Sequence, residues 1–200
     1  MLDPRRHALP DAQGESLHPA DLGRSSWVPR RTSRCGVAFG SNLGDRLENM
    51  RQAKKLLLDR IGRQDEGALC SPVYESAPVG CAPGAESFFN AVAEIGFDGL
   101  PEQLLIICQG IEVELGRPER RPRNASRTAD LDILYFGDLT RADDTLALPH
   151  PRMYERRFVL EPLSVIRPML VLPGRVETVA SLAKNLVCDE PPLRKIADEW

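Results

Sequence analysis

Asp130 and Asp132, two acids at alternate positions, are the sharpest chemical feature of this 200-residue sequence. On an extended strand, residues two apart point the same way and stand roughly 6 to 7 Å apart by strand rise. Like charges that close repel unless a cation lies between them, and a hard ion such as Mg²⁺ is the natural third partner. The competing reading is the solvated polar face of an amphipathic strand, which describes most isolated Asp-x-Asp pairs. Context favours the metal. The loop just upstream, Gly116 to Thr128, carries Arg117, Arg120, Arg121, Arg123 and Arg127 against the single acid Glu119. A run of charge is often only a solvated loop, and some of these arginines can be that. Arginine also offers a planar fork of donors matched to phosphate oxygens, so acids and arginines in succession suit a nucleoside triphosphate. Two carboxylates (−2), two Mg²⁺ (+4) and ATP (about −4) sum to about −2, which two or three arginines balance.

Further candidates are weaker singly. His150 precedes Pro151, a pattern more typical of a turn than of a catalyst, but beside phosphates its ring becomes a hydrogen-bond donor. Phe88 and Asn90 alternate with the apolar stripe of their own segment, and Phe158 lies further along the chain. An aromatic and an amide side by side describe a slot for a flat, hydrogen-bonding heterocycle.

These residues need elements to hold them. Gly36 to Phe39 reads as a buried strand. Asp45 with Glu48 forms a capping-box start to a helix carrying Leu47, Met50, Ala53, Leu57 and Ile61 on one face, which Gly62 ends. Cys70 to Glu75 is a short strand running into the loop Ser76 to Gly80. Phe88 to Phe97 alternates, with Phe89, Ala91, Ala93, Ile95 and Phe97 toward a core and Phe88, Asn90, Val92 and Glu94 opposite. Pro101 opens a second helix through Leu104, Cys108, Ile111 and Leu115 to Gly116, with Gln109 and Glu112 on the adjacent stripe. Ala129 to Phe136 is a strand with Leu131, Ile133 and Tyr135 on one side and Asp130, Asp132, Leu134 and Phe136 on the other. The order β-α-β-β-α-β is the split βαβ arrangement, an α+β, ferredoxin-like fold. Met153 to Ile166 and Val176 to Leu186 read as further helices.

Composition bounds the remainder. A net charge of −3 and 42% hydrophobic residues suit one soluble domain and argue against a nucleic-acid coat of basic charge. The longest apolar run, Leu104 to Cys108, is far below the roughly 20 residues that span a bilayer, and the first thirty residues lack a secretory apolar stretch, so a cytoplasmic protein is expected. Five scattered cysteines (Cys35, Cys70, Cys81, Cys108, Cys188) without a Cys-x-x-Cys pair predict buried thiols rather than disulfides or structural zinc. Residues 1–33, rich in proline and charge, read as a flexible extension, and 34–200 as the domain.

Five motifs carry a family resemblance: Phe39-Gly40-Ser41-Asn42-Leu43-Gly44-Asp45, Tyr74 to Gly80, Phe88-Phe89-Asn90-Ala91, Arg127 to Ile133, and Pro149 to Met153. In order and spacing they resemble the 6-hydroxymethyl-7,8-dihydropterin pyrophosphokinases of folate biosynthesis, from about Cys35 to Trp200. The resemblance implies a three-layer αβα domain with additional C-terminal strands and helices. It implies transfer of the β,γ-pyrophosphoryl group of ATP to the pterin hydroxymethyl, with AMP released and two Mg²⁺ ions held by Asp130 and Asp132. By position, Gln109, Arg117, Arg120, Arg127, Ile133, His150 and Arg156 fall on the ATP site, and Arg117 and Arg127 join the two acids as catalytic residues. Ser76, Ala77, Val79, Phe88, Asn90 and Phe158 fall on the pterin site, with the two phenylalanines sandwiching the ring. No partner other than these small molecules is implied, and a monomer is expected.

One stretch departs from the family pattern. Arg123-Asn124-Ala125-Ser126-Arg127 stands where the family commonly has Arg-Trp-Gly-Pro-Arg, which implies a looser or slower loop closure over the nucleotide. Two rival classes remain in view. A metal-dependent nucleotidyl or glycosyl transferase would use the same acids and release pyrophosphate or a nucleoside diphosphate. A non-enzymatic split βαβ module would leave the acids dispensable, and an RNA binder would want more than 6% aromatics and a basic pI.

Overall fold

The structure is a computed structural model and describes residues 32–63, 67–78, 84, 86–117 and 126–200. The expected extension falls almost wholly outside these residues. Along the chain run β1 (Ser33–Ser41), α1 (Arg46–Arg60), β2 (Leu69–Cys70), β3 (Val73–Ser76), β4 (Phe88–Phe97), α2 (Pro101–Glu114), β5 (Asp130–Phe136), β6 (Arg141–Ala142) and β7 (Ala147–Leu148). There follow a 3-10 turn (Pro151–Glu155), α3 (Arg157–Ile166), α4 (Val179–Lys184) and β8 (Arg194–Ala197). The main sheet is antiparallel in the order β5-β1-β4-β3-β8, with β2 also pairing with β4.

Local chemistry sets the helix ends. The Asp45 carboxylate accepts the Glu48 N–H at 3.1 Å and so satisfies one of the donors that a helix start leaves free. Pro101 stands at the first position of α2, where its missing N–H costs nothing. Gly62 and Gly116, both at positive φ, follow α1 and α2.

Two cores sandwich the sheet, as the three-layer expectation requires. Met50, Ala53 and Leu57 of α1 and Leu104, Cys108 and Ile111 of α2 pack on Val37, Phe39, Ala91, Ala93, Ile95, Leu131 and Ile133. On the other face Val159 and Leu163 of α3 and Val179 of α4 pack on Val92, Leu134 and Tyr135. Cys35 and Cys108 lie buried, whereas Cys70 and Cys188 are half-buried. No helix among the described residues is long and apolar enough to cross a membrane.

Several sequence expectations need correction. Cys70 to Glu75 is two strands, because Pro72 cannot donate to a ladder and Ser71 intervenes: Val92 N–H donates to Ser71 Oγ at 2.9 Å. Met153 to Ile166 is not one helix, since Arg156 is extended (φ −112°, ψ 113°) and separates the 3-10 turn from α3. Val176 to Leu186 shrinks to α4, because Thr178 is used in a bridge to Val171 and in capping Ser181.

The largest correction concerns β5. A register shift against β1 at Gly36/Val37 leaves Leu134 without an opposite residue, so the alternation changes phase. Phe136 joins Leu131 and Ile133 in the α1/α2 core, and Tyr135 crosses to the α3 side. There the Tyr135 hydroxyl donates to the Glu94 carboxylate at 2.7 Å, which also accepts from Arg34 at 2.8 Å and from Arg167 Nε at 2.9 Å. Glu94 is only 3% exposed, and its charge is carried by these donors. The tyrosine ring needs the bare Cα of Gly36, where a Cβ would stand 2.2 Å from Tyr135 Cε1. Gly36→Ala is therefore expected to lower the unfolding free energy by about 1–3 kcal/mol. In a Tyr135→Ala background the same change is expected to cost under about 0.5 kcal/mol, both read from urea unfolding.

Candidate active site

β1 lies between the two strands that carry the candidate residues, and its face toward α3 is made of Gly36, Ala38 and Gly40. Gly40 pairs with Asn90 on β4 and with Asp130 on β5, and Ala38 pairs with Asp132. Asn90, Asp130 and Asp132 thus project from one face, as the period-two alternation predicts. A Cβ built on Gly40 would lie 3.4 Å from Asn90 Oδ1, 3.7 Å from Asp130 Cβ and 3.9 Å from Phe88 Cδ1. This side-chain-free position joins an amide and an aromatic ring to an acid, and sequence reading had singled out Gly40 only as part of a motif.

Each acid meets an arginine. Arg127 pairs with Asp130, Arg117 approaches it at 3.7 Å, and Arg156 reaches Asp132 at 3.5 Å. The carboxylates stay open to solvent, with side chains 22% and 38% exposed for Asp130 and Asp132. No third His, Cys, Asp or Glu completes a metal cluster among the described residues. That donor set fits Mg²⁺, which typically takes one or two carboxylates and completes its shell with phosphate oxygens and water. Arg127 Nε and His150 Nδ1 are buried with no hydrogen-bond partner, so two polar atoms beside the acids still lack a bond. His150 is positioned by its own N–H, which donates to the Leu134 carbonyl at 2.7 Å. Burial pulls its ring pKa down and outweighs the opposing pull of Asp132, which keeps the ring neutral at pH 7.

The aromatic candidates border the same charges. The Arg127 guanidinium carbon lies 6.0 Å from the Phe88 ring centroid, and that of Arg156 lies 5.3 Å from the Phe158 ring. Asn90 donates from Nδ2 to Ser76 Oγ at 2.9 Å, which orients the amide, and both residues are buried. Next to Ser76, Glu75 accepts from Arg46 at 3.3 Å, Ser87 Oγ at 2.6 Å and Arg194 Nε at 2.9 Å, anchoring this end of β3. Ala77 is exposed at the loop start, and Gln109 is exposed on α2 three residues before Glu112. Ile133 does not join the group through its side chain, which is 4% exposed in the α1/α2 core; only its main chain can face the nucleotide side. Val79, Arg120 and the 118–125 loop lie outside the described residues.

Two positioning residues went unassigned in the sequence. Asn42, 1% exposed, accepts the Arg127 N–H at 2.7 Å and donates to Ser126 Oγ at 3.2 Å and the Glu86 carbonyl at 3.4 Å. It fastens the exit of the arginine loop to the end of β1. Glu112, 3% exposed, accepts the Leu131 N–H at 2.9 Å between the two acids and also pairs with Arg117. Burial pushes its carboxyl up to about 7, the Leu131 amide and Arg117 opposing and Asp130 adding to the rise. The only sequence signal was an acid one helical turn from the apolar stripe of α2. Glu112→Ala strands a buried amide and is expected to lower the unfolding free energy by about 1–3 kcal/mol. Glu112→Gln, which keeps an acceptor, should cost less, by urea unfolding.

The non-enzymatic rival loses ground on this geometry, since both acids are built into a charged and partly enclosed cluster rather than a free polar surface. Comparison with known proteins agrees. The family model described as 7,8-dihydro-6-hydroxymethylpterin-pyrophosphokinase matches residues 36–168. The 2-amino-4-hydroxy-6-hydroxymethyldihydropteridine pyrophosphokinase of Bacillus subtilis (strain 168) is 45% identical over 130 residues, covering 65% of this chain and 75% of that protein. A folic acid synthesis protein of Dictyostelium discoideum is 38% identical over 150 residues, covering 75% of this chain, which spans only 22% of it. The crystal structure of wild-type Plasmodium falciparum HPPK-DHPS with pterin and p-hydroxybenzoate matches the fold with a TM-score of 0.58 at 13% identity, over 78% of this chain and 43% of that one. By sequence match over most of its domain and by the fold that carries Asn90, Asp130 and Asp132 to one face, the chain belongs to the 7,8-dihydro-6-hydroxymethylpterin-pyrophosphokinase family, whose reaction places a pyrophosphoryl group on a reduced pterin in folate biosynthesis.

Proposed function

We propose that this chain carries out its family's reaction with ATP as donor, moving the β,γ-pyrophosphoryl group onto the hydroxymethyl oxygen of 6-hydroxymethyl-7,8-dihydropterin and releasing AMP. The observation that carries the reading is the shared face on which Gly40 pairs with both Asn90 and Asp130, with the Phe88 ring within van der Waals reach of the same position. A pterin reading edge and a phosphate-metal site must adjoin for such a transfer, because the attacking oxygen has to stand in line with the β-phosphorus.

In this reading Asp130 and Asp132 hold two Mg²⁺ ions. Bound there, the ions would neutralise phosphate charge and orient the triphosphate. Arg117, Arg127 and Arg156 exchange their present carboxylate partners for phosphate oxygens, and their forked donors stabilise the charge that builds on the oxygen leaving with AMP. Gln109, Arg120, His150 and the main chain at Ile133 complete the nucleotide contacts. The unpaired Nδ1 of His150 and Nε of Arg127 are the buried atoms ready to take them. Asn90 reads the pterin lactam edge, held by Ser76, while Phe88 and Phe158 sandwich the ring beside Ala77 and Val79. Asp132, the more exposed acid, is the protein group placed to accept the hydroxyl proton, with solvent as the other acceptor. We further read the protein as a cytoplasmic monomer and residues 1–33 as an extension outside the catalytic domain, on sequence composition.

Incubation of the protein with Mg-ATP and the pterin alcohol should release AMP; release of ADP, or no pterin-dependent turnover, overturns the assignment. Asp132→Ala should lower kcat at least about a hundredfold, and wild-type turnover in that variant removes both its metal and its proton role. Asn90→Ala should raise KM for the pterin about 10- to 100-fold and leave KM for ATP within about twofold, because only the pterin loses its edge contacts.

A further inference from the structure

The first turn of α3 presents Arg156 to Asp132 and Phe158 to the proposed ring slot, yet its own sequence does not cap it. Arg156 occupies the N-cap position with an extended backbone and supplies no side-chain bond to the turn. A helix start left this way has free N–H groups and frays. The missing acceptor arrives from far along the chain. Glu190, in the segment between α4 and β8, accepts the Arg157 N–H at 3.0 Å. Glu190 touches neither Asp130 nor Asp132. It acts on Arg157, which lies between the two residues that border the site, Arg156 standing 3.5 Å from Asp132 and 5.3 Å from the Phe158 ring centroid.

We propose that Glu190 is a positioning residue, a cap supplied in place of a local one, that holds Arg156 and Phe158 in their binding geometry. This rests on the reading of Arg156 and Phe158 as substrate contacts. The hydrogen bond to the Arg157 N–H is what the role needs, because a side-chain acceptor is what the exposed amides of a first turn require. When the cap is lost, the turn spends part of its time frayed, and apparent affinity falls by the fraction that remains competent.

The test compares Glu190→Ala and Glu190→Gln in the full chain. Glu190→Ala should raise KM for the pterin about fivefold, the size of a lost helix cap, with kcat changed less than about twofold. Glu190→Gln, which keeps an amide oxygen as acceptor, should stay within about twofold of wild type in both. Hydrogen exchange at the Arg157 and Phe158 amides, measured without substrates, should speed up in Glu190→Ala and stay near wild type in Glu190→Gln. Unchanged exchange in Glu190→Ala overturns the cap, as does equal loss in both variants. Faster exchange with an unchanged pterin KM overturns the link to binding. If wild-type protein shows no pterin turnover, the functional reading fails, and the exchange data still decide whether Glu190 caps the turn.

Discussion

The site depends on one register. β1 is hydrogen-bonded to β4 on one side and β5 on the other so that Gly40 stands opposite both Asn90 and Asp130. Opposed residues of an antiparallel pair share a face, so this register puts the Asn90 amide and the Asp130 carboxylate on one face, either side of Gly40. The missing side chain of Gly40 lets Asn90, Phe88 and Asp130 come within van der Waals reach of one position. A slip by one residue would send each of these groups into the helix-packed core on the other face. The residues of β1 that face the helices, Cys35, Val37 and Phe39, are fully or almost fully buried, so such a slip would expose them and bury the acids. Core packing and site geometry are two results of the same pairing.

Electrostatics follow from that placement. Two carboxylates on one strand face are paired with arginines that come from three places: the end of α2, the loop before β5 and the start of α3. These ion pairs are partly exposed, and solvent screening keeps each of them weak. The buried supports are different in kind. Glu112 and Asn42 use hydrogen bonds to main-chain groups at Leu131 and Arg127, and these fix where the paired charges stand.

At the far end of the same face the chemistry reverses. Gly36 accepts the Tyr135 ring, and Glu94 is closed off by a tyrosine and two arginines. One strand face, lined by Gly36, Ala38 and Gly40, therefore serves as packing surface at one end and carries the charged cluster of Asp130 and Asp132 at the other. The difference lies in what neighbouring strands place over each small residue.

The sequence alone determined the features that depend on local periodicity. Asp130 and Asp132 share a face because strand side chains repeat every two residues, and α1 and α2 bury the predicted apolar positions because helical ones recur every three to four. The cap at Asp45 and the stops at Gly62 and Gly116 are equally local. Where the chain folds against distant parts of itself, only the tertiary structure decided. The bulge in β5 that exchanges the roles of Tyr135 and Phe136 is set by pairing with β1, nearly a hundred residues earlier. Glu112 was visible as an acid beside an apolar stripe, but its partners, Leu131 N–H and Arg117, follow from how α2 lies along β5. The break at Arg156 depends on an acceptor at Glu190. Hydrogen-bond partners and arginine pairings are chosen by three-dimensional proximity, which no short sequence window contains, whereas the direction of a side chain on its own element is fixed by backbone geometry that the window does contain.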